Sequence, residues 1–596
     1  MIYKTPGVYV EEISLLPPSV AQVETAIPAF IGYTEKAQDE HGDSLINVPK
    51  RITSLLEYTT YYGKGHNQNI KINLSDSTPY SPVSAEFEST ESPYRMYSSM
   101  QMYFANGGGP CFVTSVGDYD AATTTPSLDT IDDYKELKAG LDAVRKIDEV
   151  TLIVIPDADR LNSNGFYDIY KDVLMQCSEL KDRFGIFDVL STDTDGSDFR
   201  DNIGTNHLSY GAAYYPYLNS SLIYPYTDET VAFSHGATDA FNGLTLAKLK
   251  SVSAALNHMT QTTSAKQQAS AAEASATPPA ITKEMKIPFF RAALSAAEKG
   301  LRNAKDTFDL VEDDAFTSTE LTNAETKLNA VKASNITISN TIAEILAAFA
   351  SLTDSCTDSE AAATAILAKV NSETGVAAAR NANINTYFTN AFLGDVTTLL
   401  NDFRITLPPA SVMAGIYARV DSARGVWKAP ANESVNMVSG PSVKIDISAN
   451  DSFNVHPTGK SINVIRAFTG KGTLVWGART LDGNSGEWKY VPVRRFFNMV
   501  EESVKKASEQ FVFEPNDANT WVKVKAMIEN FLILQWRTGA LMGSKPEEAF
   551  FVKTGLGETM TQDDVLNGRM IVEIGLAMVR PAEFIILRFS HKMLEA

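Results

Sequence analysis

The chain has 596 residues, 44% of them apolar and 21% charged, enough to bury several domains unaided. Its net charge of -20 argues against nucleic acid or an anionic membrane as a partner, because both select a basic face. Cys111, Cys177 and Cys356 are far apart and in no metal spacing, so neither a disulfide framework nor a zinc site is expected.

Near the N-terminus, TPGVYVEEIS alternates like a β-strand, with Val8 and Val10 on one parity and Tyr9 and Glu11 on the other. No basic-then-apolar leader precedes it and no apolar run reaches membrane-spanning length, which suggests a cytosolic origin. IPAFIGYTEKA predicts a short buried strand, and RITSLLEYTTYYG a strand or helix start closed by Gly63. Residues 64–98 are polar, with several Ser, Pro and Asn, and predict a loop. MQMYFANGGGPCFVTSVGD runs a helix end through Gly107, Gly108 and Gly109 into a strand. Helix and strand then alternate: YKELKAGLDAVRKIDEV and FYDIYKDVLMQCSELKDR are helical in period, while TLIVIPDADR, FGIFDVLS and SYGAAYYPYL are strand-like. That grammar predicts a mainly parallel sheet covered on both faces.

Composition shifts after about Thr227. TQTTSAKQQASAAEASATPPA is low in complexity, and long Ala-rich helices follow it. Phe290, Leu294, Ala297, Leu301, Ala304 and Phe308 fall on one helix face, and Leu321, Leu328, Val331, Ile338, Ile342, Ile345 and Phe349 make a second stripe. A third helical stretch covers about 358–403. These segments predict a helical hairpin or small bundle inserted into the α/β chain, its stripes serving to pack helix on helix.

From LPPASVMAGIYARVDSARGVWKAPANE onward the chain reads as strand-like again, and INVIRAFTGKGTLVWGART holds two strands around a glycine turn. YVPVRRFFNMVEESVKKASEQFVFEPN and TWVKVKAMIENFLILQWRTGALMG are helical. TQDDVLNG is a short polar helix, RMIVEIGLAMVRP a strand, and AEFIILRFSHKM a terminal strand matching the one at the start.

Catalytic motifs are weak. Asp157 and Asp159 end an apolar strand, where a pair of aspartates can hold Mg²⁺ and attack a phosphoryl group. Pro156 intervenes and Arg160 follows, however, which departs from the phosphatase pattern and leaves a strand-end Asp capping a turn as the simpler account. TGKGT at Thr469–Thr473 has Gly472 where a phosphate loop needs Ser or Thr. Gly107–Gly109 precede a strand, the wrong geometry for cradling pyrophosphate. The seven histidines show no paired metal spacing, and no serine occupies a G-x-S-x-G elbow. No cofactor is expected.

Several stretches, taken in order, resemble a known family: TPGVYVEEIS, TAIPAFIGYT, FANGGGPCFVTSV, AAYYPYL, GIYARVDSARGVWKAPANE, INVIRAFTGKGTLVWGART, YVPVRRFFNMVEESV and RPAEFIILRF. The chain resembles the contractile tail sheath family of contractile phages, R-type tailocins and extracellular contractile injection systems, over about 1–225 and 405–596. The resemblance implies an α/β (α+β) multidomain fold: a discontinuous sheath core with exchanged terminal β-strands, plus an inserted α-helical outer domain. Its expected divisions are an N-terminal arm and start of the core at 1–35, an α/β middle domain at 36–225 and 405–480, an outward insertion at 226–404, and a C-terminal core with its strand arm at 481–596.

Also implied is a non-enzymatic subunit that stacks as hexameric rings around an inner tube and contracts to drive the tube forward. Its partners would be copies of itself, the inner tube protein, and baseplate and terminal cap proteins. Neither nucleic acid nor membrane insertion enters, and assembly would take place in the bacterial cytoplasm for a phage tail or an extracellular particle. Strand exchange would use Val8, Tyr9, Val10 and Ile13 at one end and Phe584, Ile585, Ile586, Leu587 and Phe589 at the other. Hinges are expected at Pro17, Pro18, Arg580 and Pro581, and contact with the inner tube at Asp563, Asp564 and Asn567. Two other readings stay open: a metal-dependent phosphohydrolase using Asp157 and Asp159, and a surface adhesin built on the insertion.

Overall fold

A computed structural model describes residues 20–75, 80–119, 131–235, 244–278, 281–311, 317–373 and 390–586. Val8, Tyr9, Val10, Ile13, Pro17, Pro18, Leu587 and Phe589 lie outside the described residues. The chain forms two compact units, the first from the segments up to His66, Pro93–Leu222 and from Arg404 on, the second from Asn67–Ser92 and Ile223–Phe403.

The first unit is organised by an eight-stranded sheet in the order Gly472–Val475, Ile462–Phe468, Gly211–Tyr215, Phe184–Asp188, Leu152–Val154, Pro28–Thr34, Cys111–Asp118, Lys50–Ile52. The inner strands run parallel, and both edge strands are antiparallel. Every residue of Pro28–Thr34 and of Phe184–Asp188 is buried, as strands covered on both faces require. RITSLLEYTTYYG divides into both expected elements, the strand Lys50–Ile52 and the helix Leu55–Tyr62, with Ser54 as N-cap accepting from Glu57 N. Gly107, at φ 99°, makes the reversal between the helix Met96–Ala105 and the strand Cys111–Asp118.

One segment expected to be strand-like is a helix: Ala410–Arg424. Its alanines and glycine make it slim, and a Cβ on Gly415 would lie 2.5 Å from the Tyr103 carbonyl oxygen. The buried Asp188 carboxylate accepts from Ala410 N at 2.7 Å and fixes the helix start, while Gly425 at φ 92° ends it. Beyond the sheet, the helices Val491–Ser508 and Ala518–Arg537 share a core built around Phe496, Val524, Ile528 and Leu532. Arg494 is packed between the rings of Trp488 and Tyr210, at 4.0 and 4.8 Å from their centroids.

The second unit is not helical throughout. Residues 64–98, expected to be a loop, contain the strands Ile70–Leu74 and Pro82–Phe87. With Val231–Ser234 these make a three-stranded sheet whose centre is Ile70–Leu74. The period-two burial of Ile70, Ile72 and Leu74 was masked in the sequence by polar neighbours such as Lys71 and Asn73.

The low-complexity tract is the second half of a 31-residue helix, Leu246–Ala276, whose Ala265, Ala269, Ala272 and Ala276 are buried. Alanine is the best helix former and its small side chain allows close packing. A Cβ placed on Gly300 of the neighbouring helix Lys283–Phe308 would be 3.3 Å from that of Ala265. The expected stripe from Leu321 to Phe349 is interrupted. The helix Thr319–Ala333 stops, Ile342–Glu373 starts afresh, and Ile338 and Ile342 between the two buried runs are exposed.

Candidate functional site at the roots of the two terminal arms

The described chain enters at Val20, which is buried with Val493, Phe496 and Val500 of the C-terminal core. Val23 N donates to Ser503 Oγ at 3.1 Å, and Gln535 Nε2 donates to Gln22 Oε1 at 3.1 Å. Two residues on, the Thr25 hydroxyl donates to Asp421 Oδ2 at 2.7 Å, and Arg495 Nη2 donates to the Thr25 carbonyl at 2.8 Å. Arg495 and Asp421 form a two-pronged pair at 3.0 and 2.5 Å, their side chains only 3% and 5% exposed. The Arg495 guanidinium also lies 4.6 Å from the centre of the Tyr417 ring. Ile27 N then donates to Thr151 Oγ1 at 2.9 Å, and the chain passes into the central strand Pro28–Thr34.

The other end leaves from the same domain. Glu573–Leu576 pairs antiparallel with Phe550–Lys553, in register Phe551 to Gly575. Ala577 N donates to the Ala549 carbonyl, Met542 N to the Ala577 carbonyl and Val579 N to the Ala540 carbonyl. All these bonds lie on the odd-numbered side, so the backbone groups of Ile574, Leu576 and Met578 face the opposite edge. The sheet has two strands, and no third strand covers that edge among the described residues. Such a pair is marginal alone and offers a template for an added strand.

Glu583 is then held by Arg479 Nε at 2.9 Å, Arg479 Nη2 at 2.5 Å, Asn454 Nδ2 at 2.6 Å and Tyr490 OH at 3.2 Å. Burial raises the Glu583 pKa, but the bonds from Arg479 and Asn454 outweigh it and hold the carboxyl below its ordinary value. Arg580 and Pro581, expected as a hinge, therefore lie between two fastened residues, Val579 and Glu583. Phe584, Ile585 and Ile586 follow without regular structure and are 70%, 79% and 77% exposed.

In the helix Gln562–Leu566, Asp564 accepts from Thr561 N and Oγ1 while Thr561 Oγ1 accepts from Asp564 N. That reciprocal cap places Asp564 in a local role and its bonds to Thr561 lower its pKa. Asn567 Nδ2 donates to the Asp563 carbonyl, which leaves the exposed Asp563 side chain as the carboxylate that faces solvent.

Asp157 and Asp159 end the strand Leu152–Val154 beside the point where the sheet reverses its winding, the usual ligand crevice of such sheets. Here Tyr94 and Tyr119 stack at 4.5 Å, with His66 edge-on to both. Asp157 is fully buried and its two oxygens accept from Tyr33 N at 2.7 Å and Arg95 N at 2.6 Å. Burial pushes its pKa up to about 7. A Cβ on Gly32 would fall 2.3 Å from Asp157 Oδ2, so glycine is what lets the carboxylate lie against the strand. Asp159 accepts from the Tyr217 hydroxyl at 3.0 Å and lies 3.9 Å from Arg95 Nε. Both carboxylates thus fasten loops, and no group of three metal-binding side chains occurs among the described residues.

The family described as phage tail sheath C-terminal domain matches residues 484–592. That span holds Arg495, Ser503 and Glu583, which fasten both arm roots. The tail sheath protein of Vibrio phage KVP40 is 26% identical over 133 residues, 22% of this chain, and that of Enterobacteria phage T4 is 27% identical over 120 residues, 20% of this chain. The chain is thus similar to tail sheath proteins, and its residues 484–592 match their C-terminal domain. These matches span 20% and 18% of the two phage proteins' own lengths. In fold, the chain is similar to the contracted helical sheath of the anti-feeding prophage, with 24% identity, 99% of this chain and 100% of that one covered, and a TM-score of 0.52.

The residues that anchor the two terminal segments carry no separate motif in the sequence. Asp421 lies in DSARGVWKAPAN, Arg479 in WGART, Arg495 in YVPVRRFF and Glu583 in RPAEFIILRF. The available signal was a charge set within an apolar run, which must be paired if the run is buried. No helix among the described residues is long and apolar enough to cross a membrane.

Proposed function

We propose that the chain is the structural subunit of a contractile sheath, polymerising as stacked hexameric rings around an inner tube and shortening to drive that tube through a target envelope. One observation carries this reading: both terminal segments are rooted on a single C-terminal domain that presents a two-stranded sheet with no third strand among the described residues. The N-terminal arm, with Val8, Tyr9, Val10 and Ile13, and the C-terminal arm, with Phe584 to Phe589, add strands to such sheets in neighbouring copies. Because donor and acceptor surfaces differ, each copy leaves a free arm and a free edge, and the lattice continues as a helix.

Residues 481–596 act as the inner core, 36–225 with 405–480 as the middle domain except for 67–92, and 226–404, joined by 67–92, as an outward insertion. The baseplate and a terminal cap close the ends of the sheath, and assembly precedes release from the bacterial cytoplasm. The role is structural, as in the tail sheath relatives, and draws its work from the difference between extended and contracted lattices. Negative-stain microscopy of the expressed protein should show long, hollow, striated tubes. Globular particles alone, at every concentration, would overturn the proposal.

Asp563, Asp564 and Asn567 form the tube-facing corner. Charge reversal at Asp563 should weaken copurification with the inner tube several-fold, the loss expected of a solvent-facing ionic contact. Reversal at Asp564 also removes the side-chain half of the reciprocal cap, the bonds it accepts from Thr561 N and Oγ1. Unchanged copurification of the Asp563 variant removes this corner from the interface.

A further inference from the structure

Glu583 is surrounded in a way that its place in the chain does not require. It stands two residues after Pro581 and immediately before three apolar residues that are mostly exposed. Yet donors from three separate segments converge on it: Asn454 at the end of the helix Ile447–Asn454, Arg479 in the loop after Gly472–Val475, and Tyr490 just before Val491–Ser508. The Arg479 side chain is 5% exposed, and Glu583 is its carboxylate partner. Arg580, Pro581 and Ala582 make no hydrogen bond to the body among the described residues.

The contact continues inward. Arg479 N donates to Asn463 Oδ1 at 2.8 Å, and Asn463 Nδ2 donates back to the Arg479 carbonyl at 2.7 Å and to the Ala213 carbonyl at 3.2 Å. Asn463 is 1% exposed and belongs to Ile462–Phe468, which pairs in parallel with Gly211–Tyr215. A Cβ on Gly477 would sit 2.7 Å from Asn463 Oδ1, so this crossing is tightly filled. Hydrogen bonds joined through the Arg479 side chain therefore lead from Glu583 to two strands of the eight-stranded sheet.

We propose that Glu583 and Arg479 are a load-bearing clasp, through which tension on the C-terminal arm enters the central sheet by way of Asn463, and that the arm swings beyond Glu583 rather than at Arg580–Pro581. The clasp itself is a property of the single chain; its load-bearing role rests on the sheath reading above. A carboxylate–guanidinium pair suits this task because it resists displacement in two directions. Once Glu583 leaves, Arg479 is a buried cation without its counter-charge, so partial release is costly.

Two readouts on the full-length protein test the clasp and its load separately. In the soluble protein, Glu583→Gln should speed deuterium exchange at the Val579 amide by about tenfold or more, whereas Arg580→Ala should leave it unchanged. Equal exchange in Glu583→Gln and the unaltered protein overturns the clasp. In assembled tubes, Glu583→Gln should break the sheath into short lengths at a urea concentration that unaltered and Arg580→Ala tubes survive. If its tubes are as resistant as the unaltered ones, the load-bearing role is lost while the sheath reading stands. If the unaltered protein forms no tubes, the sheath reading and the load-bearing role fall together, and the exchange result still decides the clasp. Should Glu583→Gln fail to fold, Pro581→Gly decides: unchanged tube resistance is required by a pivot beyond Glu583, and altered resistance overturns it.

Discussion

Deletion of Met1–Ile13 should yield a soluble, folded protein that forms no tubes. The described body starts at Val20, and the bonds from Val23 to Ser503, Thr25 to Asp421 and Ile27 to Thr151 all lie beyond the deletion. Circular dichroism and the melting transition should therefore match the unaltered protein, while microscopy shows separate particles. In the proposed lattice each arm contributes once per subunit, so its loss would remove a link from every junction and the effect is expected to be all-or-none. Strand addition derives its affinity from main-chain bonds, which are lost with the segment. Tubes of normal length from the truncated protein would show that this segment is not the connecting strand.

The second large effect is expected at Asp421. Replacing it with Ala leaves Arg495 nearly inaccessible to water and without its counter-charge, and also frees the Thr25 hydroxyl. Breaking one partner of such a buried pair costs about 3–5 kcal/mol. The loss should appear as a lower urea midpoint in the transition that unfolds the unit with the eight-stranded sheet, the second unit melting as before. Adding Arg495→Met to Asp421→Ala should recover part of the stability, because the aliphatic chain can cover Tyr417 without a charge to satisfy. Additive losses in the double variant would mean that the two residues stabilise the unit independently.

Much of the first unit was legible because its strands are short and uniformly apolar, as in TLIVIP and FGIFDV, and its helices are periodic. The helix Ala410–Arg424 was not, because its start is set by a distant carboxylate, Asp188, that no local pattern contains. Likewise Ile70–Leu74 alternates over only five residues, and the central strand gains its partners from either side of the intervening chain, Pro82–Phe87 and Val231–Ser234. At the arm roots the motifs were visible but their pairings were not. Thr25, Asp421 and Arg495 meet only when three remote segments fold together, and an ion pair of that separation leaves no spacing to read.

The same separation has a bearing on timing. Val23 N is held by Ser503 and the Thr25 carbonyl by Arg495, partners placed 480 and 470 residues later in the chain. While a ribosome is still making the middle of the protein, neither partner exists, so the leading segment cannot be seated. Its root is set only after the helix Val491–Ser508 has emerged, and the sheet edge that would receive a neighbour's strand, Glu573–Leu576, is later still. Nascent copies crowded on one message thus lack the proposed acceptor surface until Glu573–Leu576 has been made.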